Sequence, residues 1–199
     1  IRWLKRYIID NAPDEAYESI VNAPVSKPGC GRVAIIGSGA SGLTAAYYLG
    51  SLGYQVDVYE RREKVGGPMR YGVPRYRLPD AALERDIAII EKLGVKFQTS
   101  TEVGKDISFD ELRNTHDAIF MGTGYPFTRH LKIEGEDNRD VVLAMEFLAE
   151  VTEYLRGTGP MPDIKDDVTV IGSGNVAFDV ARTLVRLQNE KFGNSNVKM

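Results

Sequence analysis

The stretch from Arg32 to Glu60 limits this chain more than any other. Arg32-Val33-Ala34-Ile35-Ile36 is a short apolar run that suits a strand buried on both faces. Gly37-Ser38-Gly39-Ala40-Ser41-Gly42 follows without a break, residues 43–52 read as a helix, and Gln55-Val56-Asp57-Val58-Tyr59-Glu60 reads as a second strand closing on an acid. Strand, GxGxxG, helix, strand and an acid about 20 residues on make the dinucleotide-binding fingerprint. Each part has a physical task. Gly37 permits the tight turn, Gly39 lets backbone approach a pyrophosphate, and Gly42 lets helix and strand pack closely. The helix N-terminus offers N–H groups and a partial positive charge. Gly37 to Gly42, with Ser38, Ala40 and Ser41 between the glycines, are therefore the candidate phosphate cradle. Glu60 is expected to accept hydrogen bonds from both hydroxyls of an adenosine ribose.

The pattern returns near the end of the chain. Val168-Thr169-Val170-Ile171 reads as a strand, Gly172-Ser173-Gly174-Asn175-Val176-Ala177 is GxGxxA, and residues 178–187 read as a helix. Two Gly-Ser-Gly elbows, each after an apolar strand, are an internal repeat. Ala177 stands where the first elbow has Gly42, which widens the helix–strand gap slightly. The second strand of this repeat is expected beyond Met199, together with any residue that separates NADH from NADPH. Both elbows require room for a diphosphate beside Ser38 and Ser173. Two such sites on one chain suggest a resident cofactor and an exchanging one, typically a flavin and a nicotinamide.

Between the elbows the chain alternates. Residues 61–79 hold three glycines, three prolines and five arginines, too irregular for a helix or long strand. A loop of that length in a compact domain is often functional, and ligand contact is expected of it. Residues 80–93 read as a helix with Asp80 as N-cap, apolar residues at 83, 87, 90 and 93, and Gly94 as stop. Residues 95–97 read as a short strand, and Ser108 is expected to cap a helix over 109–113. Residues 117–121 read as a strand running straight into Gly122-Thr123-Gly124, a small turn of the kind that admits ligands at a strand's carboxyl end. Tyr125-Pro126 leaves the sheet, and residues 141–155 read as a helix. At the front, apolar residues 1, 4 and 8 with Arg2, Lys5 and Arg6 between them predict an amphipathic helix. Docking onto its own or a preceding domain is expected of it rather than lying on a membrane surface. Residues 22–31, with two prolines and two glycines, read as a linker.

Composition removes several alternatives. The 199 residues are 43% hydrophobic and carry a net charge of −3, enough for a real core and unsuited to a nucleic-acid surface. No apolar run approaches the ~20 residues that span a bilayer. Cys30 is the only cysteine, so no Cys-x-x-Cys of a thioredoxin-reductase-like enzyme stands in this chain. Ser38 and Ser173 are out of register with the G-x-S-x-G of a hydrolase. His116 and His130 lack partners at ligand spacing and read as surface or satisfied residues; no metal site is expected. A start at Ile1 and an end past Gly193-Asn194 suggest a fragment of a cytoplasmic protein.

Several stretches together resemble a known family. Residues 33–60, the run Gly66-Gly67 through Arg70-Tyr71-Gly72-Val73-Pro74 to Arg77-Leu78-Pro79, Met121-Gly122-Thr123-Gly124 and Gly172 through Asp179 to Arg182 occur in that order. They resemble the small subunit of NADPH-dependent glutamate synthase and its relatives among the pyridine nucleotide-disulfide-oxidoreductase-like flavoproteins. The flavin half of dihydropyrimidine dehydrogenase and the large subunit of bifurcating ferredoxin–NADP oxidoreductases belong to the same group. The resemblance implies an α/β fold of two Rossmann-like units: 1–30 as N-terminal helix and linker, 31–124 binding FAD, and 125–199 beginning an NAD(P)-binding domain. It implies FAD at Gly37 to Gly42, with Glu60 on the ribose, Arg70, Tyr71 and Gly72 lining the flavin region, and Arg61 and Gly67 also among the cofactor-binding residues. Val103 would lie near the adenine, and Thr123 and Gly124 would touch the cofactor. Gly172, Ser173, Gly174, Asn175 and Val176 would hold the NADP pyrophosphate. Hydride would pass from NAD(P)H to FAD, and electrons onward to iron–sulfur clusters of a linked domain or partner, such as a larger amidotransferase-type or ferredoxin-linked subunit. No residue is implied as a general acid or base. The family commonly has leucines where this chain has Pro68-Met69, and an altered loop is expected there. A non-catalytic scaffold that docks a partner subunit is the alternative reading.

Overall fold

The computed structural model describes residues 1–13, 15–16, 30–125 and 130–199. Most of the expected linker, and Pro126, lie outside the described residues. The chain divides into two compact units, one of Ile1–Arg70 with Pro79–Gly124, the other of Tyr71–Leu78 with Tyr125–Met199.

In the first unit, α1 (Arg2–Asn11) forms where the apolar spacing predicts it, with an Arg6–Asp10 pair at 2.6 Å. Leu4 and Ile8 keep most of their surface exposed within this chain. The strands β1 (Arg32–Ile36), β2 (Gln55–Tyr59), β3 (Lys96–Gln98) and β4 (Ala118–Met121) form a parallel sheet in the order β3-β2-β1-β4. Parallel strands need crossover connections, and helices supply them on both faces. Val33, Ile35, Val56 and Val58 point to one face and pack against Leu43 and Ala46 of α2 (Ala40–Ser51). Leu83, Ile87 and Ile90 join them from a later helix, Asp80–Lys92. Ala34 and Tyr59 point to the other face and meet Leu112.

Asp57 interrupts the apolar alternation and is 4% exposed. Arg32 Nε lies 2.8 Å and His116 Nε2 3.3 Å from its Oδ2, so the buried charge is paired. Burial pushes the Tyr59 hydroxyl's pKa up, and the Asp57 carboxylate adds to the shift. His116 is thus a satisfied core residue, and exposed His130 lies 3.2 Å from Glu136. Among the described residues no cluster of His, Cys, Asp and Glu could hold a metal ion, and no helix is long and apolar enough to cross a membrane.

Local readings differ in detail. The irregular stretch after Glu60 contains a one-turn helix, α3 (Gly67–Tyr71), with Pro68 in its first turn, where a missing N–H costs nothing. The helix α4 (Asp80–Lys92) has Pro79, not Asp80, at its N-cap; Asp80 is the first helical residue and still faces the helix dipole's positive end. Ser108 does cap α5 (Phe109–Thr115), and Glu111 completes a capping box.

In the second unit, α6 (Ala144–Leu155) starts three residues later than expected. Then β5 (Val168–Thr169), α7 (Asn175–Phe192) and β6 (Val197–Lys198) form a parallel βαβ unit. The expectation that the second strand lies wholly beyond Met199 is corrected: it begins at Val197. Phe147, Leu148 and Val151 of α6 pack against Val180, Leu184 and Leu187 of α7. Gln188 is fully buried and binds the Lys165 carbonyl at 2.8 Å and the Asn196 N–H at 2.8 Å, pinning the βαβ turn. Gly193 ends α7 in the left-handed conformation, φ +76°.

Candidate functional site

Register decides where the first elbow's parts meet. Ile36 pairs with Tyr59 on one side and Met121 on the other. The next residue of each strand is therefore Gly37, Glu60 or Gly122, all at the carboxyl edge of one sheet. The Gly37 N–H donates to the Tyr59 carbonyl at 2.8 Å and the Gly122 N–H to the Ile36 carbonyl at 2.8 Å. Three of these glycines are sterically required. A Cβ on Gly42 would sit 1.9 Å from the Gly37 carbonyl oxygen, and one on Gly37, at φ +95°, 2.6 Å from the Gly122 oxygen. A Cβ on Gly67, at φ +50°, would sit 2.8 Å from the Gly39 Cα, so the Gly66-Gly67 loop passes directly over the elbow.

Gly39 differs. Its φ is −70°, and an added Cβ would meet nothing nearer than Pro68 Cδ at 3.8 Å. Nothing among the described residues demands a glycine there. The space its Cβ would fill is left open above the backbone. As N-cap of α2, Gly39 provides no side-chain cap, so the first N–H groups of the helix keep the need for an outside acceptor. Ala40 and Ser41 are exposed beside it.

Ser38 corrects the expectation of room at that position: it is 0% exposed. Its N–H donates to Glu60 Oε2 at 3.1 Å, its hydroxyl also donates to Oε2, and the Gly66 N–H donates to that hydroxyl at 3.1 Å. Glu60 Oε1 accepts from the Arg62 N–H at 2.9 Å. The acid is 6% exposed and held by the chain itself, so two free acceptor oxygens for a ribose diol are not what the structure presents. The open part of the elbow starts at Gly39.

Other expected residues fall in varied places. Arg70 is buried, its guanidinium bound to the Val65 carbonyl and to Glu84 at 2.7 Å, so it ties the loop to α4 rather than facing outward. Arg61, Thr123 and Gly124 are exposed, while Val103 packs partly against Ala34, Tyr59 and Leu112. Tyr71 and Gly72 belong to the second unit.

In that unit the Gly172 to Val176 elbow lies exposed throughout. Gly172 adopts φ +142°, and its added Cβ would approach the Ala177 Cβ to 3.1 Å. Gly174 is the N-cap of α7, at φ −87° without a side-chain cap, and an added Cβ would meet nothing within 4 Å. Tyr71–Leu78 is fastened to the helices of this unit. The Thr152 hydroxyl reaches the Tyr71 carbonyl at 3.4 Å, and the Tyr76 hydroxyl donates to Asp179 Oδ1 at 2.8 Å. Arg77 binds the same oxygen, and Arg186 stacks on the Tyr76 ring at 4.4 Å. The Asp179 carboxylate raises the Arg77 guanidinium's pKa. In the sequence Asp179 stands within the Gly172–Arg182 motif with no role of its own. The available signal was an acid beside the apolar stripe Ala177, Val180, Ala181.

A family model described as pyridine nucleotide-disulphide oxidoreductase matches residues 31–193. The chain belongs to that family. It is 38% identical over 197 residues to the NADH glutamate synthase of Schizosaccharomyces pombe, covering 94% of this chain and 9% of that protein. It is 36% identical over 192 residues to the small chain of the NADPH glutamate synthase of Bacillus subtilis, covering 94% of this chain and 38% of that one. Among solved structures, FprA from Mycobacterium tuberculosis in complex with NADPH superposes with a TM-score of 0.69 at 28% identity, over 78% of this chain and 36% of that one. The family and the parallel α/β fold agree with the expected Rossmann-like class. The chain spans less than half the length of each of these relatives.

Proposed function

We propose that this chain is the nucleotide-binding part of a cytoplasmic flavoprotein oxidoreductase that passes hydride from NADH or NADPH to FAD and electrons onward to iron–sulfur clusters of a linked domain or partner subunit. The observation that carries the reading is the repeated elbow. The helices that follow β1 and β5 each start at a glycine N-cap whose missing side chain leaves backbone N–H groups open to an anion. We assign FAD to the elbow at Gly37 to Gly42 with Glu60, and the nicotinamide dinucleotide to the elbow at Gly172 to Val176. Bound flavin would supply the conversion between two-electron and one-electron transfer. The chain's own part is binding and orientation: amides of residues 39–42 and 174–176 at the diphosphates, and Glu60 at a ribose hydroxyl. A larger amidotransferase-type or ferredoxin-linked subunit fits as electron partner.

The inward-facing Ser38 and Arg70 favour a second reading, a scaffold that keeps the fold without turnover. One experiment separates them. The full chain, purified with its native partner, is supplied with FAD and then with NADPH or NADH under anaerobic conditions. Yellow protein that bleaches supports the oxidoreductase reading. Yellow protein that neither reductant bleaches removes the hydride step. Protein that takes up no flavin supports the scaffold.

A further inference from the structure

We propose that Ser38 is a positioning residue that fixes the Glu60 carboxylate, so that Oε1 alone is offered to the adenosine ribose. This rests on the reading that the first elbow seats an adenine dinucleotide.

The hydrogen bonds allow one arrangement of protons. A carboxylate only accepts, and a backbone N–H only donates. Ser38 Oγ lies between the Gly66 N–H and Glu60 Oε2, so its single hydrogen points to Glu60 and a lone pair faces Gly66. The Ser38 N–H donates to the same Oε2. A carboxylate has about four acceptor sites. Ser38 fills the two on Oε2, and the Arg62 N–H takes one on Oε1. One site on Oε1 remains. Ser38 is fully buried and Glu60 nearly so, which keeps water from competing for these bonds.

The division of labour inside the elbow follows. Residues 39–42 meet the diphosphate with backbone, whereas Ser38 turns its side chain away and acts through Glu60. An alanine at 38 would leave Oε2 with the N–H donor alone and free the carboxylate to rotate. Recognition of a ribose hydroxyl would weaken, and contact with the diphosphate would not.

The test measures affinity of the full chain for ADP and for 2′,3′-dideoxy-ADP by calorimetry. The unaltered chain is expected to prefer ADP by about tenfold, because a buried acceptor discriminates against a ligand lacking the hydroxyl. Ser38→Ala is expected to reduce that preference to about twofold while affinity for the dideoxy compound stays constant. Glu60→Gln should reduce it similarly, and adding Ser38→Ala to Glu60→Gln should change it no further. A merely structural serine would lower both affinities together. If Ser38→Ala keeps the full preference, or lowers both affinities equally, the positioning role is overturned while the nucleotide site stands. If the unaltered chain binds neither compound, or both equally, the reading beneath the proposal fails with it. Should the alanine variant not fold, Ser38→Cys, close in shape with a much weaker donor, carries the same expectation.

Discussion

The two elbows share a Gly-Ser-Gly sequence and differ in nearly everything around it. The first is tightly framed, with open backbone only from Gly39 onward. Gly42 and Gly37 touch each other's backbone, the Gly66-Gly67 loop lies on Gly39, and the intervening serine is fully buried. The second is open: Gly172, Ser173 and Gly174 are exposed, and an alanine replaces the last glycine. The same tripeptide therefore holds one helix–strand junction under tight steric control and leaves the other loosely framed. The proposed resident and exchanging cofactors would ask for that contrast.

The contrast can be broken at the third glycine position. Gly42→Ala would push a methyl group against the Gly37 carbonyl, 1.9 Å away. The expected cost is on the order of 4 kcal/mol or more, read as loss of the cooperative unfolding transition in urea. A variant that melts like the parent would show that the first junction is not close-packed.

The middle glycines sharpen the comparison, because neither is needed by the fold. Gly39→Ala and Gly174→Ala should each lower stability by about 1 kcal/mol or less, since both φ values suit an L residue and the space is free. Each should weaken its own nucleotide by about tenfold or more. FAD retention reports the first, and NADPH or NADH titration the second. Equal loss of both ligands in either variant would mean that the elbows do not act separately.

The smallest effect is expected at Ala177→Gly, which makes the second elbow match the first. Ala177 is half-buried where Gly42 is buried, so Ala177→Gly should lose only about 1 kcal/mol of helix propensity, measured by thermal unfolding. A gain in stability would show that Ala177 is crowded against Gly172.

Much of this was legible because it depends on local chemistry. The apolar run at 33–36 and the alternating apolar residues at 56 and 58 can pair only when buried, helix spacing at 83, 87 and 90 defines one face, and Gly94 ends that helix at φ +84°. The capping box at Ser108 and Glu111 is likewise written in adjacent residues. Asp80 was misplaced by one position because Pro79, with its fixed φ, can occupy the N-cap itself. The span of β6 was missed because two residues carry no periodicity.

The amino-acid order by itself determined the two strand–elbow–helix units and the family they belong to, because turn sterics and hydrophobic period act over a few residues. Only the tertiary structure decided where the polar side chains look. Ser38 turned to Glu60, Arg70 to Glu84, and Tyr76 and Arg77 to Asp179, more than a hundred residues away. A buried polar group must find its partner wherever folding brings one, and distance along the chain does not constrain that choice.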